Sequence, residues 1–317
     1  MKFLYILLCF PTILFGQAKF EAIKQLFAQK QFEKAQEMML QYVASNPNDI
    51  RGLELLGDAY SNQKKWDDAQ NCYKKLTKLA PNNANYYYKY GGALGMKALN
   101  VSKLNALTII GDVKSSFLKA AELDPKHIDV RWALVELYMQ LPGILGGGRT
   151  KSFKYADELE RLSKVDGYLA KAFIYESDGQ PDRAEDYYEK AIKVGGSLTC
   201  YNKLTTFYEK QKQPEKAIAN LEATKLKYDH NILNYEVGKL VAEYNVELDK
   251  GERYLLVYLE NYSGNEASPK AWAHYRLAQI FKHKKEKDKA LKYINLALSE
   301  LPNLKPFEEE KETILGL

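Results

Sequence analysis

Apolar residues recur every three to four positions along most of the chain, with polar residues between them. The clearest example lies between residues 50 and 83. Its two apolar stripes are Leu53, Leu56 and Tyr60, followed by Ala69, Tyr73 and Leu76. Residues three and four apart lie on one side of an α-helix, so each stripe predicts one helix. Pro81 cannot continue the second helix, and the segment therefore predicts a pair of helices that ends there.

This pattern returns about every 34 residues, a spacing typical of helical repeats. Asn46-Pro47-Asn48 corresponds to Ala80-Pro81-Asn82 in the next copy. Gly57 and Ala69 are small where the two helices of a pair should cross, because a large side chain would force the helices apart. Further copies lie at residues 168–191, 201–221 and 277–302.

In its period and in Leu53, Leu56-Gly57, Tyr60, Ala69 and Pro81, the chain resembles the tetratricopeptide repeat (TPR) family, in particular exported bacterial TPR proteins. The resemblance covers nearly all of the chain after the N-terminus. It implies an all-α fold: a right-handed superhelical α-solenoid of about eight helix-turn-helix units over residues 19–303, followed by a capping helix at 304–317. It also implies a role in binding another protein or a peptide.

Two units depart from the repeat. The third has extra residues near 100–110, which predict lengthened helices. The fourth has an insertion near 141–149, read as a connector in which Thr150 caps the next helix. Its glycines have the spacing of a phosphate-binding P-loop, but it follows a predicted helix instead of a strand, so we expect no nucleotide there. The seventh unit, near Gly238 and Tyr254, lacks the usual small residue on its second helix.

The N-terminus has the pattern of a secretory signal. Lys2 precedes an apolar run that stops at Gly16, and this run is shorter than the ~20 residues of a membrane-spanning helix. We therefore predict a cleaved signal at residues 1–18, with cleavage after Gly16 or Ala18. The mature chain is expected to lack an integral membrane segment and to reside in the bacterial periplasm or cell envelope, or to be secreted.

Charge and composition exclude several classes of function. The 46 basic and 41 acidic residues are mixed along the chain, which does not favour nucleic acid as a partner. Histidines and cysteines lack the spacing of metal ligands or of a nucleophile with its base, so we predict no catalytic residue, cofactor or metal. Cys72 and Cys200 are expected to be free thiols.

The predicted binding surface is the concave face of the solenoid, which the first helices line. Side chains after the first core position, or one turn later, should point into this groove. The predicted groove residues are Tyr88, Trp132, Glu136, Phe173, Tyr235 and Tyr275. Aromatic rings would supply contact area, and acids such as Glu54 and Asp58 would select a basic partner segment. The alternative is that the aromatic rings only fill space between helices.

The sequence thus predicts a non-catalytic, protein-binding or peptide-binding scaffold. One alternative is a structural protein that self-associates through its end units. A third is an enzyme whose site the sequence does not reveal. If the groove binds a partner, alanine at Trp132 and Tyr235 should weaken binding and leave folding nearly intact.

Overall fold

The computed structural model describes residues 10–317, with side chains from Lys19 onward. All regular secondary structure in this range is helical, which confirms the predicted all-α fold. The chain divides into two compact units, one ending at Ser163 and the other beginning at Lys164. None of the described helices is long and apolar enough to cross a bilayer.

The first unit contains four consecutive helix pairs. Their bounds are α1 Phe10–Ala28, α2 Phe32–Ser45, α3 Ile50–Asn62, α4 Trp66–Leu79, α5 Ala84–Leu99, α6 Lys103–Leu123, α7 Ile128–Gln140 and α8 Arg149–Leu162. Each helix packs on the next one along the chain. Residues 1–9, half of the predicted signal, lie outside the described residues, so the signal stays a prediction.

The second unit contains four more pairs and a final single helix. Their bounds are α9 Lys164–Ser177, α10 Pro181–Val194, α11 Leu198–Lys210, α12 Pro214–Tyr228, α13 Ile232–Tyr244, α14 Leu248–Glu260, α15 Lys270–His283, α16 Lys287–Glu300 and α17 Lys305–Leu315. α17 packs against α15 and α16. The eight pairs agree with the predicted number of repeat units.

Five pairs share one kind of turn between their two helices. Each turn has a residue with positive φ near 60°: Lys30, Lys64, Gly179, Lys212 and Lys285. The next residue donates its N–H to the carbonyl five positions back, as Lys65 does to Tyr60 at 2.9 Å. This hydrogen bond satisfies a carbonyl that the ending helix leaves without a partner. The repeat thus fixes its turn through backbone hydrogen bonds, even where lysine replaces glycine.

Small residues lie where paired helices cross, as the sequence predicts. A Cβ on Gly57 would lie 2.6 Å from a ring carbon of Tyr73, and one on Gly91 would lie 2.9 Å from the ring of Phe117. The prediction that the seventh unit lacks a small residue is wrong, because Gly251 packs directly on Val241. Gly251 is the fourth residue of α14, as Ala69 is of α4.

The two insertions lie beside the third and fourth pairs. Near 100–110, α6 is lengthened to 21 residues, as predicted, and Ser102 caps its N-terminus. In the second insertion, Gly143–Leu145 form a 3-10 turn, and Gly148 precedes α8. Thr150 lies inside the first turn of α8, so its predicted capping role is wrong. Gly148 is the N-cap instead, two positions before Thr150, and its φ of 135° favours glycine.

Both described cysteines are free and buried, as expected, with Cys72 in the first unit and Cys200 in the second. Burial raises the pKa of Cys72 to about 11, with a smaller contribution from Asp68. The reactive thiolate therefore forms only about one part in ten thousand of this group at neutral pH. Cys72 is a structural residue of the core.

We expect neither described thiol to react with Ellman's reagent in the folded protein at neutral pH. Both thiols should react once denaturant is added, because unfolding removes the burial that protects Cys72 and Cys200. The absorbance of the released thiolate, with peptide mass spectrometry to locate the label, measures this. Stoichiometric labelling of either cysteine within minutes in native buffer would contradict the described packing.

Candidate functional site

The candidate site lies on the first helices of successive pairs. It consists of the side chains through which these helices contact one another. We call this set the first-helix face of each unit. In the first unit it involves α3, α5 and α7, and in the second unit α9, α11, α13 and α15. These helices also carry charged residues. Their pairing decides which charges remain for a partner.

In the first unit, the two acids predicted to select a basic partner already share a cation. Lys89 Nζ on α5 lies 2.7 Å from Glu54 Oε1 and 2.8 Å from Asp58 Oδ1 on α3. The hydroxyls of Tyr86 and Tyr73 donate to the same carboxylates. The expectation for Glu54 and Asp58 was therefore wrong, because their cation comes from the next repeat.

Lys89→Met should lower the free energy of unfolding by about 1 to 2 kcal/mol, because it leaves two half-buried carboxylates facing each other without a cation. Chemical denaturation of the full chain, followed by circular dichroism, measures this. The matched control is Lys119→Met, which removes only an exposed ion pair with Glu122 and should cost less than about 0.5 kcal/mol. Equal losses in both variants would argue against a structural role for Lys89.

In the second unit, ion pairs connect first helices one repeat apart. Lys210 Nζ lies 2.7 Å from Glu176 Oε1, at a sequence separation of 34 residues. Arg276 Nη2 lies 2.6 Å from Glu243 Oε1, at a separation of 33. We call this series of pairs the charge ladder of the second unit. Each cation lies about one repeat period after its acid.

Glu209 on α11 lies between these two pairs and lacks the corresponding cation. The positions one period later hold Glu243 and Tyr244, and the Tyr244 hydroxyl donates to the backbone carbonyl of Glu209 at 3.3 Å. Among the described residues, no hydrogen bond to the Glu209 carboxylate is found. Burial raises the pKa of Glu209, Lys239 lowers it, and Glu236 and Glu243 raise it further. Glu209 is thus a partly buried carboxylate with an incomplete charge environment.

Lys239 on α13 is the cation nearest to this group. Its ammonium lies 3.5 Å from Glu236 Oε2 on the same helix. Burial disfavours its charge, but Glu236, Glu243 and Glu209 outweigh burial and raise the pKa of Lys239. Three carboxylates therefore share Lys239, and one of the three is also held by Arg276. The cluster keeps a net negative charge on the first-helix face.

The six predicted groove residues differ in burial and in the residues they contact. Tyr235 is only 6% exposed and packs on Tyr258, with ring centroids 5.4 Å apart. The expectation that Tyr235→Ala leaves folding nearly intact is therefore wrong, since it would open a cavity. Tyr88 is half-buried beside the rings of Phe117 and His127.

The other predicted residues retain some exposure. Tyr275 stacks on Phe307 at 4.9 Å, and its hydroxyl accepts a hydrogen bond from Gln279. Trp132 and Phe173 are half-buried, and Glu136 is exposed. Trp132, Glu136 and Tyr88 belong to the first unit, whereas Phe173, Tyr235 and Tyr275 belong to the second. Of the six residues, Tyr235 lies close to Lys239 of the acidic cluster, and Tyr275 lies close to Arg276 and Glu243.

Sequence reasoning missed Glu209 and Glu243, although a signal was present. Glu176, Glu209 and Glu243 occupy equivalent positions of successive first helices. A search for opposite charges one period apart would have found cations for Glu176 and Glu243 and none for Glu209. The groove prediction instead used the residues that follow the core positions. Whether an aromatic ring at such a position is buried depends on the rotation of its helix about the helix axis.

Successive helix pairs with small crossing residues and repeated turns define an α-helical repeat protein. Residues 26–90 match one tetratricopeptide repeat model, and residues 165–194 and 273–303 match another. The chain contains tetratricopeptide repeats, and this fold supports a role as a protein–protein interaction scaffold.

Known proteins with similar sequences share this repeat. The chain is 24% identical over 195 residues to a tetratricopeptide repeat protein 30 homolog of Drosophila melanogaster, covering 61% of the chain and 27% of that relative. The Drosophila pseudoobscura homolog is 26% identical over 193 residues, covering 60% of the chain and 27% of the relative. The chain thus spans about a quarter of the length of the curated relatives it matches.

A solved structure is similar at the level of the fold. A thermophilic TPR protein of Thermus thermophilus has a TM-score of 0.50 and 18% identity, with 60% of this chain and 97% of that chain covered. A tetratricopeptide repeat protein of Parabacteroides merdae has a TM-score of 0.48 and 14% identity, with 94% of this chain and 98% of that chain covered.

Proposed function

We propose that this chain is a non-catalytic scaffold of the cell envelope that binds a basic segment of a protein partner on the first-helix face of the second unit. The carboxylate of Glu209 is the anchor for a lysine or arginine of that segment. This deepens the general role of the fold, because it assigns the binding to one face and to one kind of ligand.

The incomplete charge environment of Glu209 carries the proposal. Neighbouring pairs in the charge ladder each have a cation one repeat later, and Glu209 has none there. A partner cation at this position would complete the ladder and remove the cost of burying a charge without a hydrogen bond. Charge-assisted hydrogen bonds of this kind give both affinity and selectivity for a basic segment.

Exposed polar residues lie along the same helix. Thr206 and Asn202 on α11 are exposed about one and two turns before Glu209, respectively. Their side chains offer hydrogen bonds to the backbone of an extended peptide, whose amide groups would otherwise lose their water without replacement. The proposed site therefore combines one strong charge with weaker hydrogen-bonding positions, and it does not need the buried ring of Tyr235.

An array of basic and acidic peptides, each with and without an aromatic residue, tests this proposal on the full chain. We expect selective binding of basic peptides that weakens as salt is added, because screening acts on exposed charge. Glu209→Gln should weaken binding about tenfold, equal to about 1.4 kcal/mol. Glu215→Gln is the matched control, because Glu215 is exposed on the second helix α12.

Stability measurements separate binding from folding in this test. Because the fold raises the pKa of Glu209, folding opposes its ionised form at neutral pH, and the neutral glutamine should not lower the free energy of unfolding. Equal binding by wild type and Glu209→Gln would place the partner elsewhere. Selective binding of acidic peptides would contradict the proposed chemistry.

The envelope location rests on the apolar N-terminal run and its small residues at Gly16 and Ala18. Expression of the full sequence in a Gram-negative host, followed by fractionation and intact mass, tests it. We expect a periplasmic or envelope species that has lost 16 or 18 residues. A full-length species retained in the cytoplasm would contradict this location.

A further inference from the structure

The two insertions of the first unit carry exposed apolar side chains. At the end of α5 and the start of α6, Leu99 is 66% exposed, Leu104 77% and Leu107 51%, and in the second insertion Ile144 is 94% exposed. Single exposed leucines are ordinary on protein surfaces. Here four large apolar side chains lie in two segments that the standard helix pairs lack. We call residues 96–111 and 141–156 the insertion tips.

Contacts bring the second tip against the helix that carries the first. The ammonium groups of Lys114 on α6 and Lys151 on α8 both lie over the ring of Tyr138. Lys151 also donates to the carbonyl of Gly146 at 2.7 Å. Leu107 lies two helical turns before Lys114, about 10 Å along α6. The insertion tips therefore belong to one region of the first unit.

Charge in this region is one-sided. The first tip contains Lys97 and Lys103 and no acidic residue, and the second contains Arg149, Lys151 and Lys154 and no acidic residue. Elsewhere acidic and basic residues are nearly balanced, since the whole chain has 41 of the first and 46 of the second. The nearest acid following the first tip is Asp112. Asp157 directly follows the second tip. Lys97 pairs with Asp67 on α4, and Lys103, Lys151 and Lys154 supply the remaining lysine charge of the two tips.

Exposed apolar side chains, with lysines and no acids in the same segments, match the chemistry of an anionic lipid surface. Apolar groups enter the boundary between headgroups and acyl chains, while basic groups stay at the headgroups. A basic surface without leucines would suit any polyanion, and leucines without basic charge would suit any apolar surface. Their combination on two neighbouring insertions favours a membrane that carries negative lipids.

We propose that the insertion tips dock the protein peripherally on a membrane surface rich in anionic lipid. Leu99, Leu104, Leu107 and Ile144 enter the interface, and Lys103, Lys151 and Lys154 contact the headgroups. The surface lies in the first unit, and the proposed peptide site lies in the second. This inference is therefore independent of Glu209.

Sedimentation of the full chain with vesicles tests the inference. One set contains phosphatidylcholine alone, and the other replaces one lipid in three by phosphatidylglycerol. We expect binding to the anionic vesicles that is at least tenfold stronger than to the neutral ones. Leu104→Gln with Ile144→Ser should reduce this binding about tenfold, and Lys103→Gln with Lys154→Gln should do the same.

A matched control comes from the second unit. Leu226 on α12 is also almost fully exposed, so Leu226→Gln changes an equivalent leucine outside the insertion tips and should leave vesicle binding unchanged. Circular dichroism shows whether the variants fold, as expected for substitutions at exposed positions. Absence of wild-type binding, equal binding to both vesicle types, or full binding by either tip variant would each overturn the inference.

Discussion

Replacing Arg131 by methionine is expected to lower the free energy of unfolding by about 3 to 5 kcal/mol, the usual cost of breaking a buried charge pair. Arg131 is buried on α7, where its Nη1 donates to the carbonyl of Asp124 at 2.8 Å and its Nη2 to that of Ala121 at 3.3 Å. Its Nε lies 3.4 Å from Glu158 on α8. Methionine fills similar space and replaces none of these interactions.

The effect is large because Arg131 joins three helices. The two carbonyls belong to the C-terminal end of α6, where the helix dipole favours a cation and the last carbonyls lack partners within the helix. Glu158 is three-quarters buried and would lose its cation. Urea denaturation, with the labelling of Cys72 as a reporter of the first unit, measures the loss.

Arg161→Met is the control for this substitution, because Arg161 is exposed on α8 and should change stability by less than about 0.5 kcal/mol. A loss below about 1 kcal/mol for Arg131→Met would show that the buried contacts of Arg131 to α6 and Glu158 contribute little to the free energy of unfolding.

Phe307→Ala is expected to cost a similar 3 to 5 kcal/mol, because it deletes a fully buried aromatic side chain. Phe307 attaches α17 to α15 through the rings of Trp272, at 5.0 Å, and Tyr275, at 4.9 Å. Without it, the last helix should separate from α15 and leave apolar surface in water. Trp272 emission should then shift to longer wavelength at lower denaturant concentration.

Two design choices make this measurement specific. Phenylalanine at Trp66 and Trp132 leaves Trp272 as the remaining tryptophan, because the chain has three. Phe307→Leu keeps much of the apolar volume and should cost less than about 1.5 kcal/mol. An unshifted Trp272 transition in the alanine variant would mean that α17 is held by its other contacts.

The sequence is sufficient to predict the helix pairs, because their information is local and periodic. Pro81 ends α4, Pro181 and Pro214 begin their helices, and Gly57 allows the close approach of Tyr73. A helix start in an insertion is less predictable. Gly148 ends the connector before α8 because its positive φ redirects the chain, and no repeat pattern indicates this.

The candidate site was less accessible to sequence reasoning, because it depends on pairs between repeats. Glu54 and Asp58 looked available to a partner until Lys89 was placed between them. The position of Tyr235 next to a core residue suggested exposure, but the rotation of α13 turns the ring onto Tyr258. In both cases, the residue that determines the environment lies on a different helix.

The charge ladder also bears on how this repeat array avoids assembling incorrectly. Repeats of similar shape are prone to exchange between molecules or to dock one unit out of order. If a repeat of the second unit packed out of order, a different acid would face Lys210 or Arg276. Some of these arrangements would bring glutamates together. Opposite charges between α9 and α11 and between α13 and α15, with like charges between α11 and α13, therefore penalise the wrong order of repeats without requiring each repeat to have a different shape.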